Sequence, residues 1–136
     1  LHLTAGMKSI KLGKFQKTLE QDGFVKVCHV NEIEADKAKM VLIDQEAIAI
    51  FKYENKLSAI HNFCKHQNGP LSEGKVIDGC ITCPWHGYQY LPSNGQSPPP
   101  FTEKVKTYSV RYLDQHVWVH PTPHPEGTEL EPAIIH

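Results

Sequence analysis

The chain has 136 residues with 14 Lys and Arg, 15 Asp and Glu and a formal net charge of −1. This length predicts one main domain with room for a short tail. Charges of both signs are mixed along the chain, so no basic stripe points to nucleic acid, and no apolar run reaches the length of a membrane-spanning helix.

Residues 1–23 carry only a weak pattern, with lysines scattered among apolar residues. Leu12, Phe15 and Leu19 fall at near-helical spacing, which predicts at most a short packing segment. We expect an ordered N-terminal extension. The alternative is the juxtamembrane end of a longer membrane protein, in which case the chain would be a domain cut from that protein.

Strand patterns begin at Phe24. The runs FVKVC, MVLID, AIAIFKY and LSAIH are short and rich in β-branched residues, and Glu54-Asn55 marks a tight turn between the last two. Later, TYSVRY and HVWVH read as a hairpin joined across residues 113–115. Short strands at this spacing predict an all-β fold, a small antiparallel sandwich or barrel.

The remaining segments are rich in Gly, Pro, Asn and Ser, and they predict loops at one tip of the sheets. A Pro-rich stretch closes the chain and is expected to be extended or packed as a strap. We therefore expect an N-terminal extension over 1–23, a domain over 24–120 and a Pro-rich tail over 121–136.

Two Cys-His pairs lie in these loops: Cys64-x-His66 and, after sixteen residues, Cys83-x-x-His86. Thiolate and imidazole ligands suit zinc or an iron–sulfur cluster. Zinc motifs usually pair like with like, whereas each loop here supplies one ligand of each kind. A two-iron cluster needs that mixture, with two thiolates for one iron and two imidazoles for the other. A zinc-stapled structural module stays open as the alternative.

The stretch CKHQNGPLSEGKVIDGCITCPWHGYQY resembles the two ligand boxes of the Rieske [2Fe-2S] family. The resemblance implies one [2Fe-2S] cluster per chain, with Cys64 and Cys83 on the inner iron and His66 and His86 on the outer iron near the surface. It also implies an antiparallel Rieske-type β fold with the cluster loops at one tip.

The same resemblance suggests residues around the cluster. Gly69 and Gly87 are the glycines of the two boxes. Pro99 belongs to the segment Gln96–Pro100, QSPPP, which corresponds to the proline-rich loop that covers the cluster in the family. Tyr90 is expected to donate a hydrogen bond to a sulfur, which raises the potential of a cluster.

The chain departs from the high-potential members of the family and resembles the low-potential, ferredoxin-like and oxygenase-associated branch instead. Gly69 and Trp85 occupy the positions of a loop disulfide, and Tyr88 stands where a serine donor is expected. Fewer donors stabilise the reduced cluster less, so we expect a potential in the lower half of the Rieske range of about −150 to +300 mV.

The other two cysteines have a plainer interpretation. Cys80, in Cys80-Ile-Thr-Cys83, could form a dithiol redox motif, but it lies in an apolar strand leading into the second box. We expect Cys80 and Cys28 to be small buried thiols that take no part in the site.

The function predicted is one-electron transfer, as a ferredoxin-like carrier or as the redox domain of a larger oxygenase or reductase system. Its partners would be a reductase upstream and an oxygenase or reductase downstream, in the cytoplasm or on the cytoplasmic side of a membrane. No GxGxxG motif indicates a nicotinamide or flavin site, so we expect no independent catalytic site. His120, His124 and Glu126 form the one combination that could bind a mononuclear iron, but they lie in the Pro-rich tail without a rigid scaffold.

Overall fold

Strands make up the fold, as the sequence predicts. The computed structural model describes residues 8–10, 23–65, 68–85 and 87–136. Within them the strands are β1 Lys8–Ile10, β2 Val25–His29, β3 Lys37–Ile43, β4 Glu46–Tyr53, β5 Lys56–His61, β6 Lys75–Ile77, β7 Cys80–Thr82, β8 Gln89–Tyr90, β9 Thr107–Tyr108, β10 Val110–Leu113, β11 His116–Val119 and β12 Ala133–Ile134. Short 3-10 turns occupy Val30–Glu32 and Leu71–Glu73. No helix in these ranges is long and apolar enough to cross a membrane.

The described strands form three sheets. The largest has the order β1-β3-β4-β5-β12, with β9 also paired to β5. The second is β10-β11-β2, and the third, smaller sheet is β6-β7-β8. All pairings are antiparallel except β1 with β3, which is parallel. The prediction of an antiparallel all-β fold is confirmed.

Tight turns connect consecutive strands and fix their register. At each turn two successive residues have positive φ: Asp44-Gln45, Glu54-Asn55, Asp78-Gly79 and Asp114-Gln115. Two positive φ values in a two-residue loop are the signature of a type I′ turn, whose twist matches that of the paired strands. The turn predicted at Glu54-Asn55 and the hairpin predicted around residues 113–115 are both present.

Two apolar cores lie on opposite faces of the largest sheet. The first core lies against β2 and β11, and its buried members are Val25, Val27, Cys28, Val30, Ile33, Val41, Ile43, Ile48, Ile50, Leu57, Ala59, Tyr108, Val117 and Val119. The second core lies towards the small sheet, and its buried members are Ala49, Phe51, Tyr53, Ile60, Cys64, Leu71, Ile81, Cys83, Tyr90 and Val105. Successive residues of β4 alternate between them, as strand geometry requires.

The C-terminal residues pack against the domain as a strap. β12 pairs with β5, and Ala133 and Ile135 lie against the first core. Nearer the loops, His124 forms an isolated bridge with Thr107. At the other end of the chain, β1 adds to the largest sheet, while the rest of the expected N-terminal extension lies outside the described residues except Gly23.

Candidate metal centre

The two Cys-His loops close on their cysteines in the same way. In loop 1, residues 64–69, Cys64 N donates to Gly69 O at 2.8 Å and Asn68 N donates to Cys64 O at 3.1 Å. In loop 2, residues 83–88, Cys83 N donates to Tyr88 O at 2.7 Å and Gly87 N donates to Cys83 O at 3.2 Å. Both loops thus use the same donors and acceptors, four and five residues after the cysteine.

Short strands and a left-handed residue make each loop possible. Loop 1 follows β5 and is closed at its base by a bridge between Phe63 and Pro70, and loop 2 joins β7 to β8. The fifth residue of each loop has positive φ, 58° at Asn68 and 75° at Gly87. Asn and Gly are the residue types that adopt this conformation most readily. The sequence therefore supplies a suitable residue at the turning point of both loops.

The two cysteines meet in the second core. Cys64 is 0% and Cys83 1% exposed, and their thiols lie within hydrogen-bonding reach of each other. Burial raises the pKa of the Cys83 thiol to about 11, and the neighbouring Cys64 thiol adds to that effect. The Cys83 thiol therefore does not ionise readily without a compensating cation. A metal ion supplies that positive charge, because it binds the thiolate form.

Tyr90 lies directly beside this pair. Its Oη is 3.1 Å from Cys64 Sγ, and Lys65 N donates to the same oxygen at 3.1 Å. Burial first, and then the contact with Cys64, raises the pKa of the Tyr90 hydroxyl. Since the Lys65 N–H already occupies one acceptor position, the phenolic proton can point at sulfur. Tyr90 is therefore placed to act as the sulfur donor that the sequence suggested.

Gly69 is the point at which loop 1 touches loop 2. A Cβ added there would lie 2.6 Å from Cys83 Sγ and 3.2 Å from Trp85 Cβ. The first distance leaves no room for a side chain unless the cysteine moves. The second is slightly shorter than the usual Cβ–Cβ separation of a disulfide, about 3.8 Å, and so positions 69 and 85 face each other as the resemblance implied.

The predicted histidine ligands, His66 and His86, lie outside the described residues. Their described neighbours are at the surface: Lys65 is exposed, and Trp85 is 47% exposed. Among the described residues, no group of three or more His, Cys, Asp or Glu side chains is placed to hold a metal ion. The described half of the ligand set is therefore the thiol pair.

The proline-rich segment lies next to loop 2. Pro98, Pro99 and Phe101 line one side of a cavity of about 180 Å³, and Gly87, Tyr88 and Gln89 line the other. The rings of Tyr88 and Phe101 are 6.0 Å apart, and Phe101 is 59% exposed. Sequence reasoning singled out Pro99 but missed Phe101, whose only signal is its position directly after the prolines.

The other two cysteines differ from each other. All four cysteines lie in the described part of the chain, and none forms a disulfide. Cys28 is 2% exposed in the first core, as expected, but the predicted burial of Cys80 is wrong, because that residue is only half-buried. On β7 the middle residue, Ile81, faces the second core, so Cys80 and Thr82 face the other way.

The alternative iron site in the tail is not assembled. His124 Nε2 is 2.8 Å from Ser109 Oγ, and His120 Nδ1 accepts a hydrogen bond from Thr122 N at 3.2 Å. Glu126 instead forms an ion pair with Lys65 of loop 1. This ion pair was missed from the sequence, because it joins residues 61 positions apart and no local pattern announces it.

The described site fits a [2Fe-2S] cluster of the Rieske kind. The chemistry of its donors is right: two soft thiols, adjacent and shielded from water, with a phenol beside one of them. Zinc would also accept thiolates, but a two-iron cluster additionally explains why the two loops are built alike, since each would serve both irons.

Comparisons with known proteins agree with this fit. Residues 23–109 match the family described as "Rieske [2Fe-2S] domain". The chain is 35% identical over 91 residues to the anthranilate 1,2-dioxygenase ferredoxin subunit of Burkholderia cepacia, which covers 66% of this chain and 84% of that protein. It is 33% identical over 116 residues to the vanillate O-demethylase oxygenase subunit of Pseudomonas sp. (strain HR199 / DSM 7063), covering 80% of this chain but 31% of the relative.

A solved structure extends the likeness to the fold. The structure titled as the complex of reduced oxygenase and oxidized ferredoxin in carbazole 1,9a-dioxygenase matches with a TM-score of 0.67. The match has 22% identity and covers 76% of this chain and 98% of that one. The family match over residues 23–109 agrees with the paired loops and the buried thiols. This chain therefore belongs to the Rieske [2Fe-2S] domain family.

Proposed function

We propose that the chain passes single electrons between partner proteins through a cluster held by Cys64, Cys83, His66 and His86. The cysteines hold one iron and the histidines hold the other. The observation that carries this proposal is the pair of loops with matching hydrogen bonds, each starting at a buried cysteine whose thiol contacts the other. When bound, the cluster supplies reversible one-electron chemistry.

The residues of the chain set the conditions for that chemistry. Burial of Cys64 and Cys83 keeps water from the sulfur ligands, and the Tyr90 hydroxyl, 3.1 Å from Cys64 Sγ, is placed to donate to a thiolate there. Gly69 permits the close approach of the two loops. The buried cysteines protect the metal from water on one side. On the other side the exposed Trp85 marks a site close to the surface, which keeps the electron path to a partner short.

The partners we infer are a reductase that supplies the electron and an oxygenase that consumes it. Support comes from the relatives: one is a ferredoxin subunit of a dioxygenase, and the carbazole structure contains a ferredoxin with its oxygenase. Two exposed aromatic residues offer apolar contact area at the tip: Trp85 within loop 2 and Phe101 beside it. We place this exchange in the cytoplasm, with residues 24–120 as the cluster domain between the N-terminal extension and the tail.

The chain could serve as a separate carrier or as the redox domain of a larger oxygenase. The match over 116 residues to an oxygenase subunit, of which it covers 31%, supports the second form, the redox domain of a larger oxygenase. The two forms need the same cluster and the same ligands. They differ in whether the acceptor is reached by diffusion or through a covalent connection.

Metal and sulfide analysis of anaerobically purified protein tests the proposal. We expect two irons and two acid-labile sulfides per chain, a red-brown colour and a potential in the lower half of the Rieske range of about −150 to +300 mV. One zinc and no sulfide would make the chain a zinc-stapled module. A potential near the top of the range would leave the cluster in place but contradict the low-potential assignment.

A further inference from the structure

The C-terminal strap touches the first cluster loop through one charged side chain. The Glu126 carboxylate forms an ion pair with Lys65 Nζ. Lys65 stands between the proposed ligands Cys64 and His66, and its backbone N–H bonds to Tyr90. A residue of the tail thus contacts the loop at the position between two proposed ligands.

Backbone hydrogen bonds hold Glu126 in place from both sides. His124 N donates to Thr107 O at 2.8 Å, and Gly127 N donates to Val105 O at 3.1 Å. The His124 ring is also fixed, with Nε2 2.8 Å from Ser109 Oγ. Glu126 lies between these two anchors, so its carboxylate is presented to loop 1 by a strap that is itself attached to the sheet.

The same part of the strap lies against Gln96 and Lys104, the bridged residues at the base of the proline-rich segment. Gln96 Nε2 donates to Gly127 O at 2.9 Å, and Gln96 is bridged to Lys104. A Cβ added at Gly127 would lie 2.9 Å from Lys104 Cδ, so the strap and this base are in close contact. The strap therefore touches both segments that surround the cluster site.

Glu126 and Cys64 border one cavity. This cavity, of about 270 Å³, is also lined by Lys65, Lys106 and His61. No other acidic side chain lines it among the described residues. Among the described residues that line this cavity, Glu126 therefore supplies the acidic side chain, and Lys65 and Lys106 supply two basic ones. All three line the same cavity as Cys64.

We propose that Glu126 is a positioning residue that lowers the redox potential of the cluster by neutralising Lys65. The inference rests on the proposed ligand set. Reduction adds an electron, so a nearby cation stabilises the reduced state and a nearby anion opposes it. Because the side chains of Lys65 and Glu126 are 46% and 42% exposed, solvent and salt screen the effect and keep it modest.

Voltammetry of single and double variants tests this. We expect Glu126→Gln to raise the equilibrium constant for reduction about threefold, which is about +30 mV at 59 mV per tenfold change. Lys65→Gln should lower it by a similar factor, and the double variant should return near the wild-type value. High salt should shrink the shifts of both single variants. The matched control is Glu129→Gln, which removes the same charge from an exposed position on the same strap and should shift the potential less.

Each outcome decides the matter. Equal shifts in Glu126→Gln and Glu129→Gln would reduce the effect to net charge and overturn the inference. A lower melting temperature with an unchanged potential would leave Glu126 a purely structural role and also overturn it. If Glu126→Gln fails to hold a cluster, the Lys65→Gln variant still tests the inference, because its redox potential must be lower than that of the wild type. An unchanged potential in Lys65→Gln would overturn the inference. A wild-type protein without two irons would instead refute the proposed function.

Discussion

The two cores share one sheet but differ in what they enclose. Along β4, Ile48 and Ile50 enter the first core, whereas Ala49 and Phe51 enter the second. Apart from Cys28 and Tyr108, the buried members of the first core among the described residues are aliphatic, while the second contains two thiols in contact and a phenol beside them. One strand thus lines a largely aliphatic interior on one face and an interior with two thiols and a phenol on the other.

Cysteine shows most clearly how position decides role. Cys28 lies within β2, paired across the sheet with Val117, and contributes to the first core as a small apolar side chain. Cys64 and Cys83 each begin a loop, with backbone bonds that fold the chain back onto the cysteine. All three are buried, so burial alone does not set the proposed ligands apart from Cys28, whereas the loops that begin at Cys64 and Cys83 do.

The largest predicted effect separates the two kinds of cysteine. We expect Cys64→Ser, Cys83→Ser, His66→Ala and His86→Ala each to lose the cluster, because an incomplete site leaves iron open to water. Iron content and visible absorption of anaerobically purified variants measure the loss. Cys28→Ser is the matched control: it should keep full iron and lower the free energy of unfolding by about 1 kcal/mol.

Cys80→Ser is a second control from the small sheet. Its half-buried side chain lies three residues before Cys83, and the prediction is full iron content. Bleaching as complete as in Cys83→Ser would mean that the ligand in this segment has been assigned to the wrong cysteine.

A pair of isoleucine truncations compares the cores themselves. Ile50 and Ile60 are both fully buried, Ile50 in the first core and Ile60 in the second core, to which Cys64 also belongs. Each change to Ala should lower the free energy of unfolding by about 2–5 kcal/mol, measured by urea denaturation. Only Ile60→Ala should alter the electron paramagnetic resonance of the reduced cluster. Equal spectral changes in both would show that the cores are mechanically coupled rather than separate.

A glycine substitution tests the contact between the loops. In Gly69→Ala the new methyl group would lie 2.6 Å from Cys83 Sγ, and relieving this overlap should cost about 1–3 kcal/mol and lower the iron content. Gly79→Ala is the control, because a Cβ there meets nothing within 4 Å but must accept a φ of +79°. It should lose about 1–2 kcal/mol through backbone strain and keep its cluster. Equal iron content in the two variants would contradict the close packing at Gly69.

The sequence predicted the strands and turns where local signals are strong. β3, β4 and β5 have alternating or continuous apolar patterns, and Glu54-Asn55 carries its own turn signal. The strands β6 and β8 did not stand out, because two or three residues are too few to show a period of two. Cys80 was misjudged for the same reason: which face of a three-residue strand is buried depends on the sheet it packs against.

Contacts distant in sequence were the other limit. The positions of the two Cys-His pairs predicted two loops, which the structure contains, but nothing local predicts that Glu126 reaches Lys65 or that β12 pairs with β5. Besides side-chain bonds such as that of Gln96 to Gly127, the strap is held by backbone bonds, which any residue except proline could make. Packing of the tail is therefore a property of the folded domain, and it becomes visible only in the structure.

The smallest predicted effect concerns Tyr90, whose hydroxyl lies beside the Cys64 sulfur in the second core. Its Oη is 3.1 Å from Cys64 Sγ, and Tyr90→Phe removes that hydroxyl while keeping the ring that fills the second core. Because the donor stabilises the more negative reduced cluster, the potential should fall by tens of millivolts, at about 60 mV per 1.4 kcal/mol for one electron. Tyr108→Phe is the control from the first core, where the hydroxyl donates to Glu46 at 3.2 Å, and it should leave the potential unchanged. Voltammetry on both variants separates the two faces of the sheet: equal shifts would show that Tyr90 acts through the packing of the domain, whereas a shift in Tyr90→Phe alone assigns the effect to the hydrogen bond on sulfur.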